Sequence, residues 1–190
     1  MPDPLYGIDI PVVGFAAYSG TGKTTLLTRV IPELTARRLR VGLVKHAHHE
    51  FDIDHPGKDS YRLRKAGASQ VLLGSSQRWA LMVEHGTRGD RPLEDHLRLL
   101  QLDELDLVLV EGFKTAAIPK IEVHRPGLGN PPLFPDDPHV IAVATDEPAA
   151  VHTQLPLLAL DDARAVAGFI INRFMANIID LKHGHAHREP

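Results

Sequence analysis

A glycine-rich segment, AYSGTGKTT at residues 17–25, limits the fold of this 190-residue chain more than any other stretch. It follows an apolar run of strand length at 12–17 and precedes an apolar pattern with the 3.6-residue period of a helix. The residues on that helix face are Leu26, Leu27, Val30, Ile31 and Leu34. Pro32 lies inside the pattern, and we expect a kink there because the apolar face continues beyond it. The order of strand, glycine-rich loop and helix predicts a backbone turn at a helix N-terminus.

The segment matches the phosphate-binding loop pattern except at its first position, where Ala17 stands instead of glycine. Glycines permit close backbone approaches, so that successive N–H groups can converge on phosphate oxygens. Lys23 should reach the β- and γ-phosphates of a nucleoside triphosphate, and the Thr24 hydroxyl should bind Mg2+. The predicted phosphate-binding residues are Ser19, Gly20, Thr21, Gly22, Lys23, Thr24 and Thr25. The alternative is a glycine-rich turn without a ligand.

Strand-like and helix-like patterns alternate along the rest of the chain. Further strands are predicted at 41–45, 69–74, 79–84, 107–110, 119–124 and 139–144, further helices at 58–67, 92–101 and 161–181, and a loop at 126–138. Such alternation indicates an α/β fold with a mainly parallel sheet, here a P-loop NTPase-like three-layer fold. The short connection at 75–78 predicts an antiparallel hairpin. We expect one nucleotide-binding domain over 1–190, with a flexible histidine-containing tail at 182–190.

Composition excludes several classes of function. The chain has no cysteine, which rules out disulfides, zinc thiolate sites and cysteine nucleophiles. Its formal net charge of -3 provides no general field for nucleic acid, so no nucleic-acid partner is expected. No stretch approaches the roughly 18 apolar residues that would span a bilayer, and the N-terminus lacks a signal pattern. We therefore expect a cytoplasmic protein without a membrane partner.

A carboxylate that helps to hold Mg2+ should follow a strand beside the loop. Asp106 and Glu111 lie at opposite ends of the apolar run 107–110, separated by roughly 16 Å at about 3.3 Å per residue. Ligands of parallel sheets bind outside the carboxyl ends of the strands. This geometry selects Glu111 as the second metal residue beside Thr24 and makes Asp106 a solvated turn residue. A plain acid at a strand end is the alternative for Glu111.

The polar stretch from 45 to 67 begins at the carboxyl end of the second predicted strand. We identify Lys45, His46, His49, Lys58 and Asp59 as candidate substrate-binding or switch residues. The histidines could instead bind a transition metal or be solvated, and the acidic side chains of the stretch could support Mg2+. A charged helix face is the plain alternative for its basic residues.

Asp146 is the candidate for base recognition. It follows the strand at 139–144, at the same edge of the predicted sheet, and its carboxylate could accept hydrogen bonds from guanine N1 and N2. The chain lacks the Asn-Lys-x-Asp motif of many GTPases. A turn without a ligand is the alternative.

Several segments together resemble the MobB family, the molybdopterin-guanine dinucleotide biosynthesis proteins B. They are AYSGTGKTTL, KHAHHEFDIDHPGKDSYRLRKAGA, DLVLVEGFK, PKIEVHR and HVIAVATD. The resemblance covers about residues 10–175, and its histidine-rich segment is more specific than the phosphate loop. It implies a GTP-binding, weakly hydrolysing dimer with Mg2+, which assists the nucleotidyltransferase that attaches GMP to molybdopterin. In family terms, residues 20–25 hold phosphate and Mg2+, and Glu111 lies on the metal side.

Other functions remain open at this point. The chain could be a P-loop small-molecule kinase, a nucleotide-gated metal chaperone using its histidines, or a non-catalytic adaptor. Direct binding of molybdopterin is also open. Because no water-positioning glutamine and no arginine finger in cis stand out, we expect slow hydrolysis by the isolated protein.

Overall fold

The computed structural model describes residues 7–47, 51–86 and 89–175. Within these ranges the strands are Val12–Ala16 (β1), Val41–Lys45 (β2), Gln70–Gly74 (β3), Trp79–Val83 (β4), Leu107–Glu111 (β5), Lys120–His124 (β6), Val140–Thr145 (β7) and Leu157–Ala159 (β8). The α-helices are Lys23–Thr35 (α1), Asp59–Lys65 (α2), Leu93–Leu97 (α3) and Ala163–Phe174 (α4). No helix in these ranges has the length and apolar character needed to cross a membrane.

Six strands form a parallel sheet in the order β2-β5-β1-β6-β7-β8. This arrangement confirms the predicted α/β class with a mainly parallel sheet. The short strand β8 was not predicted, because three residues are too few to show a strand period. Since all six strands run the same way, the segments that follow β1, β2, β5, β6 and β7 emerge at one edge of the sheet.

Helices cover both faces of this sheet. Leu107 and Leu109 of β5 lie in one buried cluster with the apolar faces of α1 and α4. The alternate residues Val108 and Val110 lie in a second cluster with Leu93 of α3. A strand buried on both sides has no polar alternation, which explains the continuous apolar run that predicted it. The three predicted layers are therefore present.

The described residues divide between two compact units, one from residues up to 46 and from 92 onwards, the other from 47–91. The second unit contains α2 and the antiparallel pair of β3 and β4, in the register Gln70 to Val83 through Gly74 to Trp79. This pair is the predicted hairpin. The single nucleotide-binding domain stays a prediction, and the tail at 182–190 lies outside the described residues.

Asp106 differs from its prediction as a solvated turn residue. Its side chain is only 6% exposed, and its Oδ2 atom lies 3.5 Å from the Nε atom of Arg40. The Asp106 Oδ2 atom also accepts a hydrogen bond from the Arg40 backbone N–H at 2.8 Å. Because Arg40 precedes β2 and Asp106 precedes β5, the contact joins two neighbouring strands at the amino edge of the sheet, and this burial was not visible in the sequence.

Helix α3 is also shorter than expected. The helix predicted at 92–101 is a five-residue α3, followed by a separate 3-10 turn at Leu102–Glu104. The helix predicted at 161–181 is described as α4 over Ala163–Phe174, and residues from 176 onwards lie outside the described part. Helix α1 continues through Pro32, as expected, and the kink at this residue stays a prediction.

Strand β6 carries buried polar side chains on the face opposite its apolar ones. Both carboxylate oxygens of Glu122 accept hydrogen bonds at 2.8 Å, one from the Leu133 N–H and the other from the Phe134 N–H. The buried Lys120 ammonium lies 2.6 Å from Asp137 Oδ2. These contacts hold the proline- and glycine-rich loop after β6 over the strand. Alternating polar residues here therefore mark a covered face and not a solvated one.

Candidate functional site

The glycine-rich segment forms the connection between β1 and α1, at the carboxyl edge of the parallel sheet. Gly20 has a φ of 78° and Gly22 a φ of 98°, a left-handed conformation that L side chains rarely adopt. A Cβ built on either residue would meet no atom within 4 Å. The backbone torsion, and not crowding, therefore requires glycine at these two positions.

Positive charge and hydrogen-bond donors concentrate at this loop. Gly22 caps α1 without a side-chain hydrogen bond, and the first turn of α1 contains no acidic residue. The positive end of the helix dipole therefore lacks an anionic partner from that turn. The Lys23 ammonium donates to the carbonyl oxygens of Ala17 and Tyr18, both at 3.1 Å, and so lies across the loop.

The electrostatic surroundings of Lys23 favour an anion beside it. Burial lowers the pKa of the Lys23 ammonium, the Glu111 carboxylate opposes this, and the positive charges of Lys114 and Lys45 lower the pKa further. Three ammonium groups near one loop indicate that a ligand with several negative charges is the complementary partner.

Three of the residues selected from the sequence come together at the end of β5. The Thr24 hydroxyl donates to Glu111 Oε1 at 3.0 Å. The Lys45 ammonium, from the end of β2, contacts Glu111 Oε1 at 3.1 Å and Oε2 at 3.0 Å. The Glu111 side chain is 9% exposed and that of Lys45 is 53% exposed. A hydroxyl and a carboxylate at this separation are hard oxygen donors that suit Mg2+, so the chemistry of the pair fits this ion.

His46 lies beside the same strand end, but the structure gives it local partners. Its backbone N–H donates to the Glu111 carbonyl at 2.9 Å. Its ring is tilted against Phe113, with the ring centroids 4.8 Å apart. His49 lies outside the described residues. Within the described ranges, no group of three or more histidine, aspartate or glutamate side chains is placed to hold a metal ion.

Lys58 and Asp59 lie at the start of α2, in the second unit. Lys58 is the residue that precedes the first helical turn, and the exposed Asp59 carboxylate lies 3.6 Å from Arg62. In the same unit, Arg64 bridges Asp52 and Glu84. The pKa of Arg64 is raised, most by its hydrogen bond with Glu84 and next by that with Asp52. The proposed substrate or switch role of Lys58 and Asp59 stays a prediction.

A cavity of about 320 Å³ extends from the phosphate loop toward the end of β7. Thr21, Gly22 and Thr25 line one side of it, and Asp146 and Arg125 line another. Its volume lies at the lower end of the range for small-molecule sites. The structure therefore places three of the predicted phosphate-binding residues and the predicted base-binding residue around one cavity.

Sequence reasoning missed two cationic residues at this edge. Arg125 follows β6 directly, and its Nε donates to Asp146 Oδ2 at 2.7 Å. The Lys114 ammonium lies 4.5 Å from the centroid of the Tyr18 ring, beside the loop. Both residues follow strands predicted from the sequence, so their position after a carboxyl end was an available signal.

This combination of fold and site defines a class of protein. A glycine-rich loop joins the first strand of a parallel sheet to a helix, and a threonine at the start of that helix contacts an acid at the end of the neighbouring strand. These features define a P-loop nucleotide-binding fold. Comparison with known proteins gives the family within this class.

The family model described as MobB, molybdopterin guanine dinucleotide synthesis protein B, matches residues 12–146. The molybdopterin-guanine dinucleotide biosynthesis adapter protein of Escherichia coli strain K12 is 49% identical to this chain. The match covers 85% of this chain and 92% of the Escherichia coli protein. The protein of the same name from Haemophilus influenzae is 45% identical over 86% of this chain and 89% of its own. The chain belongs to the MobB family.

Solved structures agree with this assignment. The crystal structure of a MobB homologue from Bacillus stearothermophilus is 25% identical and superposes with a TM-score of 0.63, over 85% of this chain and 96% of that one. The family and the P-loop fold together indicate nucleotide binding. The resemblance to MobB noted from the sequence is thus confirmed.

Proposed function

We propose that this protein is a GTP-binding adapter in the biosynthesis of the molybdopterin guanine dinucleotide form of the molybdenum cofactor. The observation that carries the proposal is the single cavity lined by the phosphate loop at one side and by Asp146 at the other. Membership of a family whose relatives are named as adapter proteins in this pathway supports the biological context.

At the phosphate end, the chain provides donors and positive charge. The backbone N–H groups after Gly20 and the start of α1 would bind the phosphate oxygens. Lys23 would exchange its two loop carbonyl partners for the β- and γ-phosphates. Burial lowers the pKa of the Lys23 ammonium and so disfavours its charged form. A bound polyphosphate would favour the charged form again, because its negative charges would lie beside the ammonium.

Thr24 and Glu111 would hold Mg2+ at this end. Such an ion neutralises charge on the β- and γ-phosphates of a bound nucleotide. Lys45 already binds both oxygens of Glu111, so it keeps this buried carboxylate paired and oriented toward Thr24. In the switch role suggested by the sequence, binding of nucleotide at the phosphate end would change the contact between Lys45 and Glu111. His46 lies next to Lys45 and would respond to the same change.

At the other end, the Asp146 carboxylate would accept the N1 and N2 hydrogens of guanine. Adenine has no hydrogen on N1 and no amino group at C2, so the same carboxylate would face an acceptor. A site that hydrogen-bonds one base rejects the other because the wrong base would cover a polar group and leave it unpaired. Asp146 is therefore the residue that makes the proposed ligand GTP and not ATP.

The partner that fits this role is the nucleotidyltransferase that attaches GMP to molybdopterin. We propose a cytoplasmic homodimer. We also propose slow hydrolysis by the isolated protein, because its sequence shows no water-positioning glutamine and no arginine finger in cis. The role of His46, His49, Lys58 and Asp59 would then be contact with molybdopterin or with the partner enzyme. Association with that enzyme should depend on bound GTP.

Calorimetry of GTP and ATP binding with Mg2+ tests the proposal, using the natural protein and Lys23→Ala. We expect selective binding of GTP that is lost or strongly weakened in Lys23→Ala. Lys65→Ala, which removes an exposed lysine on α2, is the matched control and should bind as the natural protein does. A preference for ATP would favour a small-molecule kinase, and absence of binding by either nucleotide would refute the phosphate site.

A further inference from the structure

Arg125 and Asp146 are neighbours because of the sheet register. His124, the last residue of β6, pairs with Thr145, the last residue of β7, in a parallel ladder. The next residue of each strand therefore emerges at the same place, and these residues are Arg125 and Asp146. Their contact is a hydrogen bond from Arg125 Nε to Asp146 Oδ2 at 2.7 Å.

The contact leaves half of the Asp146 carboxylate available. Arg125 is the hydrogen-bond partner of Asp146 among the described residues, and it uses Oδ2. Both side chains line the cavity and remain partly exposed, Arg125 at 42% and Asp146 at 34%. A carboxylate oxygen has two lone pairs, so Oδ2 can accept a second hydrogen bond while Oδ1 accepts another.

We infer that Arg125 is a positioning residue for base recognition, which holds the Asp146 carboxylate in the orientation that accepts two hydrogen bonds from guanine. This inference rests on the proposed guanine site. An aspartate at a strand end otherwise has several rotamers, and binding would have to select one of them. With Arg125 in place, that ordering precedes the ligand.

The chemistry of arginine suits this task better than that of lysine. A guanidinium has a planar, rigid set of donors, so its contact with a carboxylate fixes direction as well as distance. A lysine ammonium keeps the charge but rotates freely. Arg125→Lys should therefore retain the electrostatic attraction and lose the orientation, whereas Arg125→Met removes both.

The test is calorimetry of GTP, ATP and tripolyphosphate binding with Mg2+ to the natural protein and to Arg125→Met. We expect GTP affinity to fall about three- to tenfold, the range for ordering one side chain on binding. Affinity for ATP and tripolyphosphate, which do not use Asp146, should stay within about twofold. Arg125→Lys should lie between the natural protein and Arg125→Met.

Two further variants separate the possible causes. Arg37→Met removes an arginine of similar exposure from an ion pair with Glu33, outside the cavity, and should leave all three affinities unchanged. Asp146→Asn replaces an acceptor by a donor and should shift preference from GTP to xanthosine triphosphate. In the Asp146→Asn background, Arg125→Met should have little further effect on GTP, because the two residues act together.

Each outcome has a defined meaning. Equal loss for GTP, ATP and tripolyphosphate in Arg125→Met would overturn the inference and assign Arg125 to general attraction of anions. Unchanged GTP affinity in that variant, together with the xanthosine shift in Asp146→Asn, would overturn the Arg125 inference and leave the guanine site standing. A natural protein without GTP preference, or Asp146→Asn without the shift, would overturn both.

Discussion

Replacement of Gly22 by alanine separates backbone torsion from packing in the phosphate loop. Gly22 has φ 98° and ψ 18°, and an added Cβ would touch nothing within 4 Å. The chain provides a matched control in Gly168, which lies within α4, where an added Cβ also meets nothing within 4 Å. The two substitutions therefore add the same methyl group to open space and differ in backbone conformation alone.

The expected changes in the free energy of unfolding have opposite signs. Alanine in the left-handed region is disfavoured by about 1–2 kcal/mol. Reduced freedom of the unfolded chain offsets about 0.4–1 kcal/mol of this, so Gly22→Ala should destabilise by about 1 kcal/mol. Gly168→Ala should stabilise by about 0.5–1 kcal/mol, because alanine is the better helix former. The two variants should thus differ by about 1.5–2 kcal/mol.

Urea unfolding followed by circular dichroism measures this difference. At a slope of about 1–3 kcal/mol per molar urea, the midpoints of the two variants should differ by roughly 1 M. GTP with Mg2+ should raise the midpoint of Gly168→Ala as much as that of the natural protein, and that of Gly22→Ala by less. Equal shifts of both variants in the same direction would refute the torsional explanation of the loop.

Two other predictions concern single carboxylates. Glu111→Gln removes the negative charge that Thr24 and Lys45 contact. Calorimetry should therefore show a smaller gain in GTP affinity when Mg2+ is added, whereas the affinity without Mg2+ should change less. An unchanged Mg2+ dependence would exclude Glu111 from the metal site. For Glu122, burial raises the pKa, and the hydrogen bonds from Leu133 and Phe134 only partly oppose it. Because the pKa of Glu122 is raised in the folded state, protonation of this side chain stabilises the fold. This stabilisation is complete below the ordinary pKa of 4.5 and is lost as pH rises through the pKa of the folded state. The free energy of unfolding of the natural protein minus that of Glu122→Gln should therefore decrease with pH above about 4.5, and a difference that increases would contradict the assignment.

The parts that the sequence predicted correctly depend on local patterns. The phosphate loop is encoded by consecutive residues, and the hairpin by two apolar runs around four polar residues. The position of Glu111 at a strand end could be predicted because that end follows from the length of the apolar run, and its role at the metal stays a prediction. In each case the physical reason lies within one short, continuous stretch of chain, so a sequence without its fold is sufficient.

The parts that the sequence did not predict depend on distant segments. Asp106 is buried because Arg40, which precedes another strand, reaches it. Glu122 is buried because the loop after β6 folds back over the strand. Arg125 meets Asp146 only through the register of β6 on β7. The position of Arg125 after a strand was visible in the sequence, but its partner was not. The partners in these contacts are set by tertiary pairing and cannot be read from the nearby sequence.

The position of β6 between β1 and β7 has a consequence for ligand length. Adjacent strands lie about 4.8 Å apart, so β1, which leads into the phosphate loop, and β7, which leads to Asp146, are separated by about 10 Å. The hydrogen-bonded ladders on both sides of β6 make this separation rigid. In the proposed site, the sheet would therefore fix the distance between the phosphate loop and Asp146. A base joined to its phosphates by one ribose would reach both ends, and a longer or shorter spacer would leave one end without contact.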